Sequence, residues 1–282
     1  MKTNIFKILL AAFLVFGISC SESDDNDNGN GDALQLPPYE SMAVDFSNFL
    51  DDSNTGKQAT TAKIGGNWLY PRLVVGIWNT ALFSNLAIPI ASFKTAFAHD
   101  AEFLGENTWQ WTYAVAGFSS EYTARLTGEL TAEEIIWEMY VTKSGVGAFE
   151  EFLWFSGVSD VNGNSGQWSL YQSPERPNRM IDIEWSREND EIGSIKYSWV
   201  RELDDEDNED PFKNSYLEYG LQEGDFDVFY SVHVFDLQTE QFVDVNIEWN
   251  STDFNGRVMA PAHFEDELWH CWDSDGEDME CE

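Results

Sequence analysis

Ile181-Asp182-Ile183-Glu184 sets two carboxylates two residues apart, separated by branched apolar residues. On a β-strand, whose side chains alternate between faces, Asp182 and Glu184 share one side. Paired carboxylates on one face can act as acid, base or nucleophile at a glycosidic bond. A weak repeat carries a second set: Met180-Ile181-Asp182-Ile183-Glu184-Trp185 is echoed by Asp244-Val245-Asn246-Ile247-Glu248-Trp249. The four histidines, His99, His233, His263 and His270, fall in no recognised metal-ligand spacing, and no HExxH, GxSxG or Walker-type loop occurs. His263, Glu265 and His270 are close enough in sequence to converge on a metal, although surface polar residues of a strand pair explain them equally well. Asp273-Ser274-Asp275-Gly276-Glu277-Asp278 and Asp160-Val161-Asn162-Gly163-Asn164-Ser165 alternate oxygen-bearing side chains as calcium loops do. The register fails in both: Cys271 falls in the first ligand position of one, and Ser165 in the glycine position of the other. No cofactor is expected beyond weak calcium binding.

The first carboxylate set resembles the Glu-x-Asp-x-Glu strand of laminarinase-type glycoside hydrolases. In that family the alternate acids serve as nucleophile, helper and acid/base. Met180 stands here where the nucleophile belongs, and the second set has Asn246 at its centre. A retaining mechanism does not run without its nucleophile. The reading from sequence is therefore a non-catalytic protein whose acids form the wet face of exposed strands. A degenerate or unfamiliar glycan-processing enzyme built on the 182–184 and 244–248 strands is the alternative.

Twelve Trp, 20 Phe and 10 Tyr raise a third possibility, stacking on a ligand. Most Trp share a strand face with Ile and Val and should be core. Tyr140, Tyr171, Phe229 and Phe235 fall on the otherwise polar face, and Trp269 and Trp272 flank Cys271. These six are the candidate ligand contacts.

The elements that position these residues follow from hydrophobic period. Residues 34–70 read as a linker containing Pro37-Pro38 and one short amphipathic piece, Met42 to Leu50. In 73–103 apolar residues recur at helical steps, and Pro89 should divide the segment into two helices near Ala87. Apolar on nearly every side, this segment is expected to be buried. From Trp109 to Trp272 the period becomes two, with turn signals such as Asn162-Gly163-Asn164 and Glu223-Gly224 between runs. Asp204 to Asp210 (DDEDNED) reads as a solvated loop. The expected fold is mainly β (α+β): an antiparallel meander of about ten strands, forming a strongly curved sheet or open barrel packed on the apolar helical hairpin. In plan this is similar to the periplasmic lipoprotein-carrier and lipocalin-like folds.

Charge and the first residues supply an address. Fifteen Lys+Arg against 51 Asp+Glu leave a net charge of −36 in 282 residues, which repels nucleic acid. The aromatic content excludes global disorder. Lys2 and Lys7 precede an apolar run, Ile8 to Ile18, too short to span a membrane but suited to a signal peptide over 1–19. Phe16-Gly17-Ile18-Ser19-Cys20 resembles the lipobox of bacterial lipoproteins, with Gly17 where Leu is usual. Ser21 to Asp27 is similar to the acidic tag that sends Bacteroidota lipoproteins to the cell surface. The resemblance implies a lipid anchor on Cys20, a tether over 20–33, and an outer-membrane location facing the exterior. One globular domain, 34–282, follows. With Cys20 taken by lipid, Cys271 and Cys281 remain to form a disulfide pinning the tail, worth ~2–3 kcal/mol. The expected partners are the membrane through its anchor and an apolar ligand, a glycan or a surface protein.

Overall fold

The computed structural model describes residues 33–44, 46, 49, 66–116 and 120–281. Cys20, the leader and most of the tether lie outside them. Residues 33–282 form a compact unit of their own. A single 3-10 turn (Tyr39–Ser41) and one long helix, α1 (Gly66–Ala96), precede the sheet. The strands then follow without interruption: β1 (Glu102–Gly105), β2 (Thr108–Val115), β3 (Tyr122–Leu130), β4 (Glu134–Lys143) and β5 (Phe149–Asp160). Next come β6 (Ser165–Tyr171), β7 (Arg179–Glu188) and β8 (Glu191–Trp199). After the connection 200–215 come β9 (Tyr216–Leu221), β10 (Val228–Asp236), β11 (Gln241–Trp249) and β12 (Gly256–Met259). A one-turn helix, α2 (Pro261–Phe264), separates these from β13 (His270–Trp272) and β14 (Asp278–Met279). Among the described residues all 14 strands pair antiparallel with their sequence neighbours in one open sheet, of which β1 and β14 are the edges.

The expected meander is thus present, longer than read from period alone. The period-two alternation is clearest in β2, β4, β6, β7, β8, β10 and β11. The strands that escaped notice have physical reasons to do so. In β5, Glu151 adopts φ 47° and the pairing with β4 shifts register twice, so that Trp154 and Phe155 are both buried and the alternation breaks. In β3 the inward positions include Ala124 and Gly128, which carry little hydrophobic signal.

Glycine at such positions makes room for tryptophan. One cross-strand row on the inner face runs Trp109, Gly128, Trp137, Gly157, Trp168. A Cβ on Gly157 would stand 2.1 Å from the Gln167 carbonyl oxygen and 2.5 Å from the Trp168 ring. Each large ring therefore lies over a residue with no side chain, which packs the inner face without forcing the strands apart. Gly166 under Trp185 and Gly256 under Trp272 repeat the device.

The sheet curls around its filling. Trp68 near the start of α1 packs on Trp272 of β13, while Ser92 near its end accepts the Tyr113 hydroxyl of β2 at 2.7 Å. At about 4.8 Å per strand, β2 and β13 would be roughly 53 Å apart in a flat sheet. The 24 residues from Trp68 to Ser92 span at most about 36 Å of helix, so the sheet must bend. The helix itself bends by 72° between its Gly66–Leu82 and Leu86–Ala96 parts. Pro89 was expected to place the break near Ala87; its missing N–H and ring affect the carbonyl four residues earlier, so the bend falls about a turn upstream. The helix starts earlier than the expected 73–103, where the backbone N–H groups of Gly66 and Asn67 donate to the Asp278 carboxylate on β14 at 3.2 and 2.9 Å, and it ends earlier, at Ala96, in a turn closed by Ala98 N and His99 N.

Of the segment read as linker and entry, the described residues pack largely in the core. Met42, Phe46 and Phe49 are buried in the middle of the concave face. Phe46 meets Tyr197, Tyr219 and Tyr230, while Phe49 meets Tyr230, Trp249 and Trp68. The polar groups so buried are matched: Trp168 Nε1 donates to Ser41 Oγ at 3.1 Å, and the Tyr197 hydroxyl accepts from Val44 N at 3.1 Å. Pro37-Pro38 prevents a long helix, and the 3-10 turn that follows packs against β7 and β8, with Tyr39 beneath Lys94 of α1.

Candidate functional site

Two concavities of different character flank the sheet. On the outer face, Glu134, Asp160, Gln167, Glu184, Ser186, Ser194, Lys196 and Glu218 surround an open groove of about 600 Å³. On the inner side, an apolar cavity of about 350 Å³ opens between the Gly66–Leu82 part of α1 and the ends of β8–β10. Its lining is Ile77, Trp78, Ala81 and Leu82 from the helix, with Trp199, Arg201, Phe212, Ser215 and Val234 opposite. That volume lies at the lower end of the range for small-molecule sites, and the mixture of apolar walls with few polar groups is the usual one.

The bend in α1 creates the cavity. Beyond it, Ser92, Phe93 and Ala96 are fully buried, and Phe93 meets Phe155 and Trp168 edge-to-face. Before it, Leu69, Leu73 and Ile77 are 42%, 56% and 69% exposed. They lie four residues apart, so they form one apolar stripe along the helix, and Ile77 carries that stripe to the cavity. The expectation of a wholly buried helix therefore holds for one part and fails for the other. Among the described residues no single helix is long and apolar enough to cross a membrane; the two bent parts reach that length and apolarity only together.

The far wall is built on charge. Asp210 is 2% exposed and accepts from Trp199 Nε1 at 3.1 Å, from Phe212 N at 2.9 Å and from Arg201 Nε. Arg201 Nη1 reaches Asp205 at 3.1 Å. Arg176 donates to the Asp204 and Asp205 carbonyls and to the Asp207 carboxylate. Asp204 receives the Asn208 and Glu206 N–H groups, which hold its carboxyl below the usual value. The acidic run 204–210, expected to be merely solvated, is thus folded on two arginines, and its last residue is buried. The cause is the pairing of charges far apart in sequence, with Arg176 lying 31 residues before Asp207.

The carboxylate strands do not converge. Asp182 pairs with Arg179 and accepts from Ser169, Asp244 bonds His233 Nδ1 at 2.7 Å, and Glu248 pairs with Arg257. Asp182 and Asp244 lie in one cross-strand row, separated by Ser198, Tyr216 and His233. Four strand spacings make that roughly 19 Å, beyond the separation of either glycosidase geometry. Met180 is the extra residue of a bulge and is 3% exposed. Glu184 alone of the four acids faces the outer groove.

The six aromatic candidates scatter too. Tyr140 stacks under Arg125 and bonds Glu138, Tyr171 lies by Ser156, and Phe229 covers Gly220 on the outer face. Phe235 packs on Phe242, and Trp269 lies beneath the Arg257 guanidinium at 4.4 Å. Trp272 is a correction: it is 1% exposed, packs on Trp68 and donates to the Phe254 carbonyl at 2.8 Å. Its place is the core, because β13 turns it inward over Gly256. Cys271 and Cys281 are joined at 2.05 Å.

Among the described residues no group of three or more His, Cys, Asp or Glu side chains is placed to hold a metal ion. In each calcium-like loop the first carboxylate is engaged by backbone N–H groups of the loop itself. Asp273 Oδ1 accepts from Asp275 N and Glu277 N. Asp160 accepts from Asn162, Ser165 and Asn164; against the opposing push of burial, these bonds hold its carboxyl below the ordinary value.

The cavity residues were partly visible in sequence. Trp199 and Val234 fall on the apolar side of period-two runs, and Ile77 and Leu82 on helical steps. Phe212 and Ser215 do not, since they follow the acidic run with no period to mark them. Comparison with family models, curated proteins and solved structures finds no match to this chain.

Proposed function

We propose that this protein is a non-catalytic, lipid-anchored protein of the outer membrane, displayed outward, that binds an apolar ligand in the cavity beneath α1. The observation that carries the reading is the cavity itself, with seven of its nine lining residues apolar and its mouth continuous with the stripe Leu69, Leu73, Ile77. Such a stripe, left exposed on an otherwise acidic chain, supports a route for apolar molecules to reach the cavity. The lipobox-like Cys20 supports the anchor, and the scattering of the carboxylates supports binding over catalysis.

The test is native mass spectrometry of residues 33–282, purified without detergent. A discrete extra mass, released by organic solvent, is the expected result. A bare mass that stays bare after incubation with alkyl ligands would overturn the reading. Protease shaving of intact cells tests display: the protein should be cleaved, and protection would place it facing inward.

The outer groove favours a second reading, a polar ligand such as a glycan contacted by Glu184, Lys196, Gln167 and the hydroxyls of Ser186 and Ser194. Glycan binding that disappears in Glu184→Gln and Lys196→Ala, with the inner cavity blocked or not, would favour it.

A further inference from the structure

The chemistry around the cavity mouth narrows the ligand class, an inference that rests on the binding role proposed above. We infer that the ligand is a single-chain amphiphile with a cationic head, of the alkylammonium type.

The walls set the apolar half. Ile77, Trp78, Leu82, Trp199, Phe212 and Val234 leave about 350 Å³, and Ser215 Oγ is engaged by the Phe235 backbone N–H at 3.3 Å. At about 30 Å³ for each water-sized unit, the space takes roughly a dozen non-hydrogen atoms. That is one alkyl chain, with no room for two.

The rim sets the polar half. Arg201 is the charged residue of the lining, and its guanidinium faces Asp210 through Nε and Asp205 through Nη1. An anionic head would have to compete with these two carboxylates for the same cation. The segment behind Arg201 carries Glu202, Asp204, Asp205, Glu206, Asp207, Glu209 and Asp210. The cations that answer it are Arg176, Arg201 and Lys213, the last paired with Glu202 at 2.6 Å. Seven carboxylates against three cations leave this segment with an excess of four negative charges, joined to the lining through the Arg201 ion pairs, while Arg72 is the cation of the adjoining groove on α1. Asp236, two residues beyond Val234, adds another; its charge, secondary to burial, helps hold the Tyr70 hydroxyl on α1 protonated. The field of the whole chain, at −36, has the same sign. A fatty acid or an acidic phospholipid would therefore be repelled where its head must lie, whereas an ammonium would be attracted.

The experiment titrates residues 33–282 with dodecyltrimethylammonium, dodecanol and dodecanoate, each below its micelle concentration, following intrinsic tryptophan fluorescence and isothermal calorimetry. The ammonium should bind at least ~10-fold more tightly than dodecanoate at low salt, with the difference shrinking in 0.5 M NaCl as screening shortens the reach of the rim charges. Ala81→Phe and Val234→Phe should abolish binding of the two tighter probes, Ala81 being an exposed helix position where the added ring need not disturb folding. Tetramethylammonium, all head and no chain, should not bind. Asp205→Asn with Asp207→Asn should reduce the preference while leaving dodecanol unchanged. Dodecanoate binding as tightly as the ammonium would overturn the cationic head and leave the cavity reading standing. If no probe binds, or if the filled variants bind all probes as before, the cavity reading fails and this inference with it.

Discussion

The two parts of α1 face the same sheet and end differently. Leu86–Ala96 lies over β2–β6, where the Trp–Gly row is closed by Phe93 and by the Tyr113–Ser92 bond. Gly66–Leu82 is held at its start by Asp278 and Trp272 and then stands off the ends of β8–β10, leaving a cavity and an exposed stripe. Both parts are equally apolar to the eye. The difference teaches that an apolar helix face is buried only where the opposing surface is shaped to receive it, and tryptophan over glycine is the shape that does so here.

The largest way to break this contrast is at the filled end. Gly157→Val puts side-chain atoms where the Gln167 carbonyl and the Trp168 ring already stand. A loss above about 4 kcal/mol is expected, enough to prevent folding or to cut the urea midpoint sharply; a near-normal midpoint would show that the row is loosely packed. Phe93→Ala removes a fully buried ring from the same contact and should cost about 3–5 kcal/mol in chemical denaturation.

A smaller loss separates the faces by pH. Burial holds the hydroxyls of Tyr113, Tyr197 and Tyr230 protonated well above the ordinary tyrosine range in the folded chain. The unfolded chain ionises near pH 10. The stability they contribute is therefore complete below about pH 10 and lost as pH rises toward the folded values. Urea midpoints at pH 8 and pH 11, with tyrosinate absorbance followed at each, should show unfolding and ionisation together at the higher pH. Ionisation ahead of unfolding would mean that these rings are accessible.

At the open end, Asp210→Asn leaves Arg201 with Asp205 alone and should cost about 2–3 kcal/mol, the worth of a hydrogen bond to a charged group. It should also shift Trp199 fluorescence, since the indole loses a charged acceptor. Smallest of all, Leu73→Ser or Ile77→Ser should change stability by no more than about 0.5 kcal/mol. A larger effect would mean that the stripe is covered in the native protein, and the contrast between the two parts of the helix would vanish.

Much of the sheet was legible because alternation is a local property. Each strand with one wet side writes its period directly, as Ile181-Ile183-Trp185 and Val243-Val245-Ile247-Trp249 do. Local pattern failed where the reason lay elsewhere in the chain. Phe46 and Phe49 carry no signal that marks them as filling for Tyr230 and Trp249. The acidic run 204–210 gives no hint of Arg176, and the start of α1 gives none of Asp278.

By itself the sequence determined that an apolar helical segment precedes an antiparallel β-meander, and which faces of the clearest strands point inward. These depend on neighbours within a few residues. The tertiary structure alone decided how far the sheet curls, which part of the helix is sealed and where a cavity remains. Those outcomes turn on whether side chains brought together from distant strands fill the space between them, and volume is a property of the assembled packing, not of any one segment.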